Sequence, residues 1–358
     1  MASDAFADTR AVISGLGPIC PEALGVDALA SPEYRNVDPG GDGDDDSWFD
    51  TTRFVGPRGT KYLTPATRYL LGSARLALDD AGLAEGHYDA EEKGVMIGTN
   101  FAVSRVHAQM DAVVLGEGSQ SLSPMEAANF SINLAASHVS IKHGLKAFNV
   151  SLTSPVVAGL EALILAAHAI RNGRARLVLA GATEDRPPEE VADLLGGPPS
   201  TGAACTVVLE QRSRAAGRNA RVYAEFVPVM LRFVAPGSLA SASGRNLLAG
   251  VVQQALDGCL ASEHTTLHWS SAPDRSGAFH GAVTAAVLQA LTERRIRVVH
   301  ETLVGGSGSF ATASPVLQLC ELAFRRRSAM VLATSPQGHI ALVMLQALHN
   351  PEPRPADA

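Results

Sequence analysis

Short runs made only of apolar residues, separated by helix-length stretches, constrain this chain more than any other feature of its sequence. Gly94-Val95-Met96-Ile97-Gly98 offers no polar position. A strand of this kind needs cover on both faces, which a sheet sandwiched between helices supplies. Ala11-Val12-Ile13-Ser14-Gly15-Leu16-Gly17 reads as another buried strand running into a glycine turn, and Arg176-Leu177-Val178-Leu179-Ala180 as a third. Helical patterns lie between them. Thr64-Pro65 opens one, with threonine as N-cap and proline in the first turn. Leu70, Leu71, Ala74, Ala77, Leu78 and Ala81 form its apolar stripe, and Gly82 ends it. A second helix runs from Ala158 to Arg171 and ends at Gly173. The rhythm predicts an α/β fold with a buried sheet.

The rest of the chain repeats that rhythm. Strands are expected at Thr206 to Leu209, Val222 to Pro228, Thr266 to Trp269, Arg297 to His300, Met330 to Thr334 and Ile340 to Leu345. Helices are expected at Asn246 to Leu260, Gly281 to Thr292 and Thr312 to Arg326, the last after a glycine-rich turn at 305–309. The two stretches share a layout but no residue repeat. At about 150 residues per domain, 358 residues suit one fold of two halves. We expect an N-terminal half over 1–210, a C-terminal half over 211–348 and a disordered proline-rich tail over 349–358.

Composition removes several function classes. With 46% hydrophobic and 18% charged residues, the chain can bury a large core without a metal or a disulfide. Its net charge of −7 leaves no basic footprint for nucleic acid. Cys20, Cys205, Cys259 and Cys320 share no metal-type spacing and suit free thiols in a reducing compartment. The acidic run 38–47 would need Gly at 47 and Glu at 53 to hold calcium as an EF-hand loop; Ser47 and Arg53 stand there, so it reads as a solvated loop. The first residues carry no secretory pattern. The longest apolar stretch, Val156 to Ile170, falls short of a membrane span and contains Glu161 and His168. We expect a cytoplasmic protein with no membrane partner and no cofactor.

Six segments in order resemble the β-ketoacyl synthase family, a branch of the thiolase-like fold. Val12-Ile13-Ser14-Gly15-Leu16-Gly17 is similar to the family's opening strand, and Gly94 to Thr99 to its G-V-x-x-G-T strand. Ser123-Pro124 with Asn133 to Leu145 resembles the S-P…N-x-A-A-G-x-V-A-I-x-x-G-L segment. Gly159 to Leu163, Ile170 to Ala175 and Leu179 to Asp185 resemble the helix after the nucleophile, its end, and the G-G-x-E strand end. The likeness is good to about residue 210 and poor beyond. It implies a layered αβαβα sandwich of two related βα halves.

A condensing enzyme of this family holds its acyl chain on a cysteine at a helix N-terminus, where the dipole lowers the thiol pKa and backbone N–H groups form an oxyanion hole. Two histidines stabilise the enolate left by malonyl decarboxylation. The resemblance places the nucleophile at Val156, in Thr153-Ser154-Pro155-Val156-Val157-Ala158-Gly159. It places the first histidine at Ser271 or a neighbour, and the second at Gly306 or Ser307, with Glu301 where the family has lysine. Every catalytic position that can be placed is replaced. Ser154 and Thr153 are the stand-in nucleophiles, but a serine needs a base beside it. His268 reads as a strand histidine, and Cys205 as a core thiol.

Within the family this pattern is similar to the chain length factor, a subunit of type II polyketide systems that lacks the cysteine and pairs with an active ketosynthase. The resemblance implies a heterodimer with that homologous ketosynthase, contact with an acyl carrier protein through the complex, and an acyl tunnel between the subunits. Such subunits often carry glutamine where Val156 stands. The short length and degenerate second half resemble the smaller partners in polyene pathways. The interface strand is expected near Phe148 to Leu152. The tunnel lining is expected on Phe101 to Leu115, where Val103, Val106, Met110 and Val114 recur at helical spacing; a plain core face gives the same spacing. Two other readings stay open: an acyltransferase or hydrolase using Ser154, and a self-dimerising module that binds acyl chains or carrier protein.

Overall fold

The computed structural model describes residues 9–30, 47–83, 86–124, 128–188, 191, 201–259, 266–272, 277–301, 303 and 310–348. Most of the acidic loop 38–47, the glycine turn with Gly306 and Ser307, and the tail 349–358 lie outside them.

Eleven strands form one sheet: β1 (Ala11–Cys20), β2 (Ala23–Leu24), β3 (Lys93–Gly98), β4 (Asn149–Leu152), β5 (Leu177–Glu184), β6 (Ala203–Gln211), β7 (Ala224–Phe233), β8 (Thr266–Ala272), β9 (Arg297–His300), β10 (Ala329–Thr334) and β11 (His339–Gln346). The principal helices are α1 (Val26–Ala30), α2 (Pro65–Asp80), α3 (Ser104–Glu117), α4 (Leu134–His143), α5 (Ala158–Arg171), α6 (Ala242–Asp257), α7 (Ala278–Glu293) and α8 (Ala313–Phe324). Thr64 caps α2 as expected, its side chain accepting from the Thr67 N–H.

The path across the sheet is β4-β3-β5-β6-β1-β7-β11-β10-β8-β9, with β2 on β1. It contains one pattern twice. In the first five strands β4, β3 and β5 are parallel, and β6 and β1 follow antiparallel. In the second five β9, β8 and β10 are parallel, and β11 and β7 follow antiparallel. Both read 3-2-4-5-1 in chain order. The sets meet where Ala11, Val12 and Ile13 of β1 pair with Phe226, Glu225 and Ala224 of β7.

Period-two alternation explains why the strands carry so few polar residues. On β10, Val331 and Ala333 join one core cluster while Met330 and Leu332 join another. On β5, Val178 and Ala180 face that same first cluster, and Leu177 and Leu179 face a third. The shared cluster holds α5 and α8 between the two half-sheets; α2 and α4 cover one outer face, and α6 and α7 the other. This is the five-layer sandwich expected from sequence, with its half-sheets joined at the β1–β7 seam. Among the described residues no helix is long and apolar enough to cross a membrane, and no cluster of potential metal ligands occurs.

The central helices meet at their N-termini. A Cβ on Gly159 would lie 2.4 Å from the Thr312 carbonyl oxygen, and one on Gly98 2.3 Å from the Ala158 backbone. Only glycine permits these approaches. They bring the C-terminal end of β3 and the starts of α5 and α8 to one place.

Candidate functional site: a strained strand-to-helix elbow

β4 ends at Leu152, and the chain turns sharply through 153–157 into α5. Val156 sits at the turn with φ +59°. A β-branched residue in the left-handed region is a true outlier, and strain of this kind costs about 1 to 3 kcal/mol. The Val157 N–H reaches back to the Pro155 carbonyl at 2.7 Å, and the Ala158 N–H to the Ser154 carbonyl at 3.0 Å. The turn therefore presents residue 156 at the start of a 14-residue helix, where a nucleophile would gain most from the dipole. The side chain presented is an isopropyl group.

Asn100 holds this elbow. Its Nδ2 donates to the Thr153 carbonyl at 3.0 Å, and its Oδ1 accepts from the Val156 N–H at 3.1 Å. A carboxamide oxygen thus occupies the backbone donor that a condensing site would turn toward the thioester oxygen. Glu184 in turn holds Asn100. Its buried carboxylate, at the end of β5, accepts from the N–H groups of Asn100 (3.0 Å) and Phe101 (2.7 Å) and from the Thr99 hydroxyl (3.2 Å). The Thr312 backbone donates to it from the other half. Burial pushes the Glu184 carboxyl up to about 8 against the pull of these donors. Sequence reading singled out neither residue for this role. The signal was there: Asn100 follows the all-apolar strand by two positions, and Glu184 ends another.

The residues expected to stand in for catalysts are dispersed. Ser154 has no side-chain hydrogen bond among the described residues, so none of them supplies it with a base. Ser271 lies near the end of β8 on the face shared with Leu267 and Trp269, which pack toward α6 and α7; Ser270 points the opposite way and bonds Gln318 of α8 at 2.9 Å. Ser307 lies outside the described residues. His268 pairs with Ala329 at the start of β10, about 13 Å by strand rise from the C-terminal end of β8. Its Nδ1 contacts Glu301 at 2.5 Å, and Glu301 also binds Arg325 at 3.2 Å. His280, on α7, bonds the Thr334 hydroxyl at 2.9 Å. Cys205 is fully buried.

The expected tunnel residues divide. Val103 is buried before α3 begins, and Val114 is exposed. Val106 and Met110 line a 340 Å³ cleft with Gln109 and Val113, opposite Tyr62 and Leu63. Of the four, Val106 and Met110 line this cleft and Val103 and Val114 do not. No residue within α3 is buried, so the plain core face is excluded.

With this geometry in hand, likeness to known proteins is specific. The β-ketoacyl synthase N-terminal domain matches residues 20–195. The 3-oxoacyl-[acyl-carrier-protein] synthase 2 of Coxiella burnetii is 30% identical over 190 residues, covering 45% of this chain and 44% of that protein, so the chain spans less than half the length of that relative. Among solved structures, a type II polyketide ketosynthase in complex with its acyl-carrier protein (AntDE:AntF) matches with TM-score 0.74 and 20% identity over 95% of this chain and 99% of that one. The ishigamide ketosynthase/chain length factor matches with TM-score 0.71 and 20% identity over the same shares. At that identity the two structures establish the fold. The fold is that of the thiolase-like ketosynthases, and residues 20–195 are similar to the N-terminal domain of the β-ketoacyl synthase family.

Proposed function

We propose that this chain is a non-catalytic, chain-length-factor-type subunit that pairs with an active ketosynthase and shapes the acyl tunnel of a type II polyketide system, of the polyene kind. The observation that carries the reading is the elbow. Its strained turn and helix N-terminus are kept, while the reacting position is Val156 and its N–H is taken by Asn100. On this reading the halves 1–210 and 211–348 are retained for shape and assembly.

The edge of the sheet supports a paired state. Among the described residues β4 is the terminal strand, bonded to β3 alone. Ile141, on the helix packed beside it, is 81% exposed, and Phe130, whose carbonyl is held by His107 of α3, is 60% exposed. A strand edge flanked by apolar side chains is a template for association. Obligate interfaces of this kind bury over roughly 2,000 Å². The cleft beside Val106 and Met110 lies on α3, where the tunnel reading needs it.

Co-expression with an intact ketosynthase from a neighbouring gene, followed by size-exclusion chromatography with mass determination, tests the proposal. A one-to-one complex is expected, with an acyl carrier protein acting on the complex. A monomer in the presence of that ketosynthase refutes it. A homodimer that ignores the ketosynthase favours the self-dimerising module instead.

A further inference from the structure

The internal repeat of the fold exposes a difference between its halves. β1 and β7 occupy equivalent places, and beyond their short mutual pairing each leaves an edge free. On β1 that edge is covered: Ile19 and Cys20 pair with β2, and α1 packs behind it against α8, burying Leu29 in the central core. β7 has no such cover among the described residues. The turn that follows it, Pro236–Ala240, packs against α6 and α7 instead. What remains beside β7 is a cavity of 710 Å³ between the end of α5 and the end of α6. That volume is in the range of small-molecule sites.

The lining has a definite chemistry. Phe226, Pro228, Met230, Val251 and Ala255 supply apolar surface. The acid, Glu225, has a side chain 4% exposed and is bound by Arg10 at 3.0 Å and Arg212 at 3.2 Å, so it offers no free negative charge. Two guanidinium groups are uncommitted. Arg171 makes no side-chain hydrogen bond or ion pair among the described residues, and Arg232 donates only to the carbonyl of Leu231 beside it. His168, also lining the cavity, is held below its ordinary pKa by desolvation and by Arg171, so it leaves the balance positive.

We propose that this cavity is a binding site for an amphipathic carboxylate, with the hydrocarbon body against Phe226, Pro228, Met230 and Val251 and the carboxylate between Arg171 and Arg232. Guanidinium groups match carboxylates in geometry as well as charge. The site is separate from the Val156 elbow and independent of the role proposed for it.

Cys259 supplies a built-in reporter. It lines the cavity and is half-buried, whereas Cys20, Cys205 and Cys320 are fully buried. Alkylation of the folded protein with iodoacetamide at pH 9, read by peptide mass spectrometry, follows that thiol. The probes are dodecanoate, dodecanol and dodecyltrimethylammonium, each below its micelle concentration. Dodecanoate is expected to slow Cys259 alkylation at least fivefold, with half-protection at a concentration at least tenfold lower than dodecanol, and the cation is expected to protect least. Arg171→Glu with Arg232→Glu should abolish the advantage of the carboxylate, leaving circular dichroism and the unliganded alkylation rate unchanged. Absence of protection overturns the proposal. So does equal protection by dodecanol or the cation, or a carboxylate advantage that survives both charge reversals.

Discussion

Placing a thiol at residue 156 should not confer condensing activity. In Val156→Cys the new side chain stands at the N-terminus of α5, where a thiolate is favoured, and cysteine tolerates the left-handed turn better than valine. Acylation of that thiol by an acyl-carrier protein is the expected outcome. Condensation needs more. The Val156 N–H is already donated to Asn100, and the described histidines with known partners are committed elsewhere, His268 to Glu301 and His280 to Thr334. Loss of one oxyanion donor costs about 3 to 4 kcal/mol, a factor of about 100 to 1,000 in rate. Groups that act together are not additive, so the total is not the product of such factors. Turnover at least about 100-fold below an intact ketosynthase is the minimum expected. The assay mixes purified Val156→Cys protein, without any partner, with acyl- and malonyl-carrier protein and follows β-ketoacyl product by mass spectrometry. An acylated protein without steady product fits the geometry. Steady turnover near that of an intact ketosynthase would refute the reasoning and point to His280, at the C-terminal end of β10, or to His268 as the base.

Asn100→Ala removes both bonds to the elbow and should lower stability by about 1 to 3 kcal/mol in urea unfolding; an unchanged midpoint would mean that the strained turn holds itself. Glu184 gives a pH dependence of definite sign. Its folded pKa of about 8 lies above the ordinary carboxyl value, so folding favours the protonated form and stability falls as pH rises from about 4.5 to 8. The loss should approach about 3 to 5 kcal/mol, and the Glu184→Gln variant should show a flatter profile in denaturation scans at pH 5 and pH 8. Val106→Trp, in the cleft along α3, should shorten the product of the paired complex; an unchanged product from a folded variant would remove the tunnel role.

Much of the architecture was legible because burial on both faces leaves a plain signature. The bounds of α5 and of β9 follow directly from sequence, and β3 gains one residue at its start. Strand ends carrying polar residues were read short. β5 continues past Ala180 through Thr183 to Glu184 because those side chains find partners inside the protein. β7 continues to Phe233 through an exposed end whose pattern resembles a loop. On α3 the apolar residues are dense enough to permit two stripes, and the cleft shared with Tyr62 and Leu63 is lined by the one through Val113. At the elbow, the valine at 156 and the helix that follows it were readable from a single motif. The clamp of Asn100 and Glu184 was not, because it joins residues more than eighty positions apart in sequence.

The two ends of the sheet are unlike, and this sets how far association can go. β4 ends the sheet on one side with Val150, Ser151 and Leu152 half-buried beside exposed Ile141. On the opposite side β9 is, like β4, four residues long, but it exposes Arg297 and His300 where β4 exposes only the neutral Asn149. Charge on a short terminal strand discourages further strand addition. A body with two adhesive ends would grow into a filament, whereas one with a single adhesive end can only be capped. If the chain pairs through β4 as proposed, association closes after one step, whichever molecule supplies the second edge.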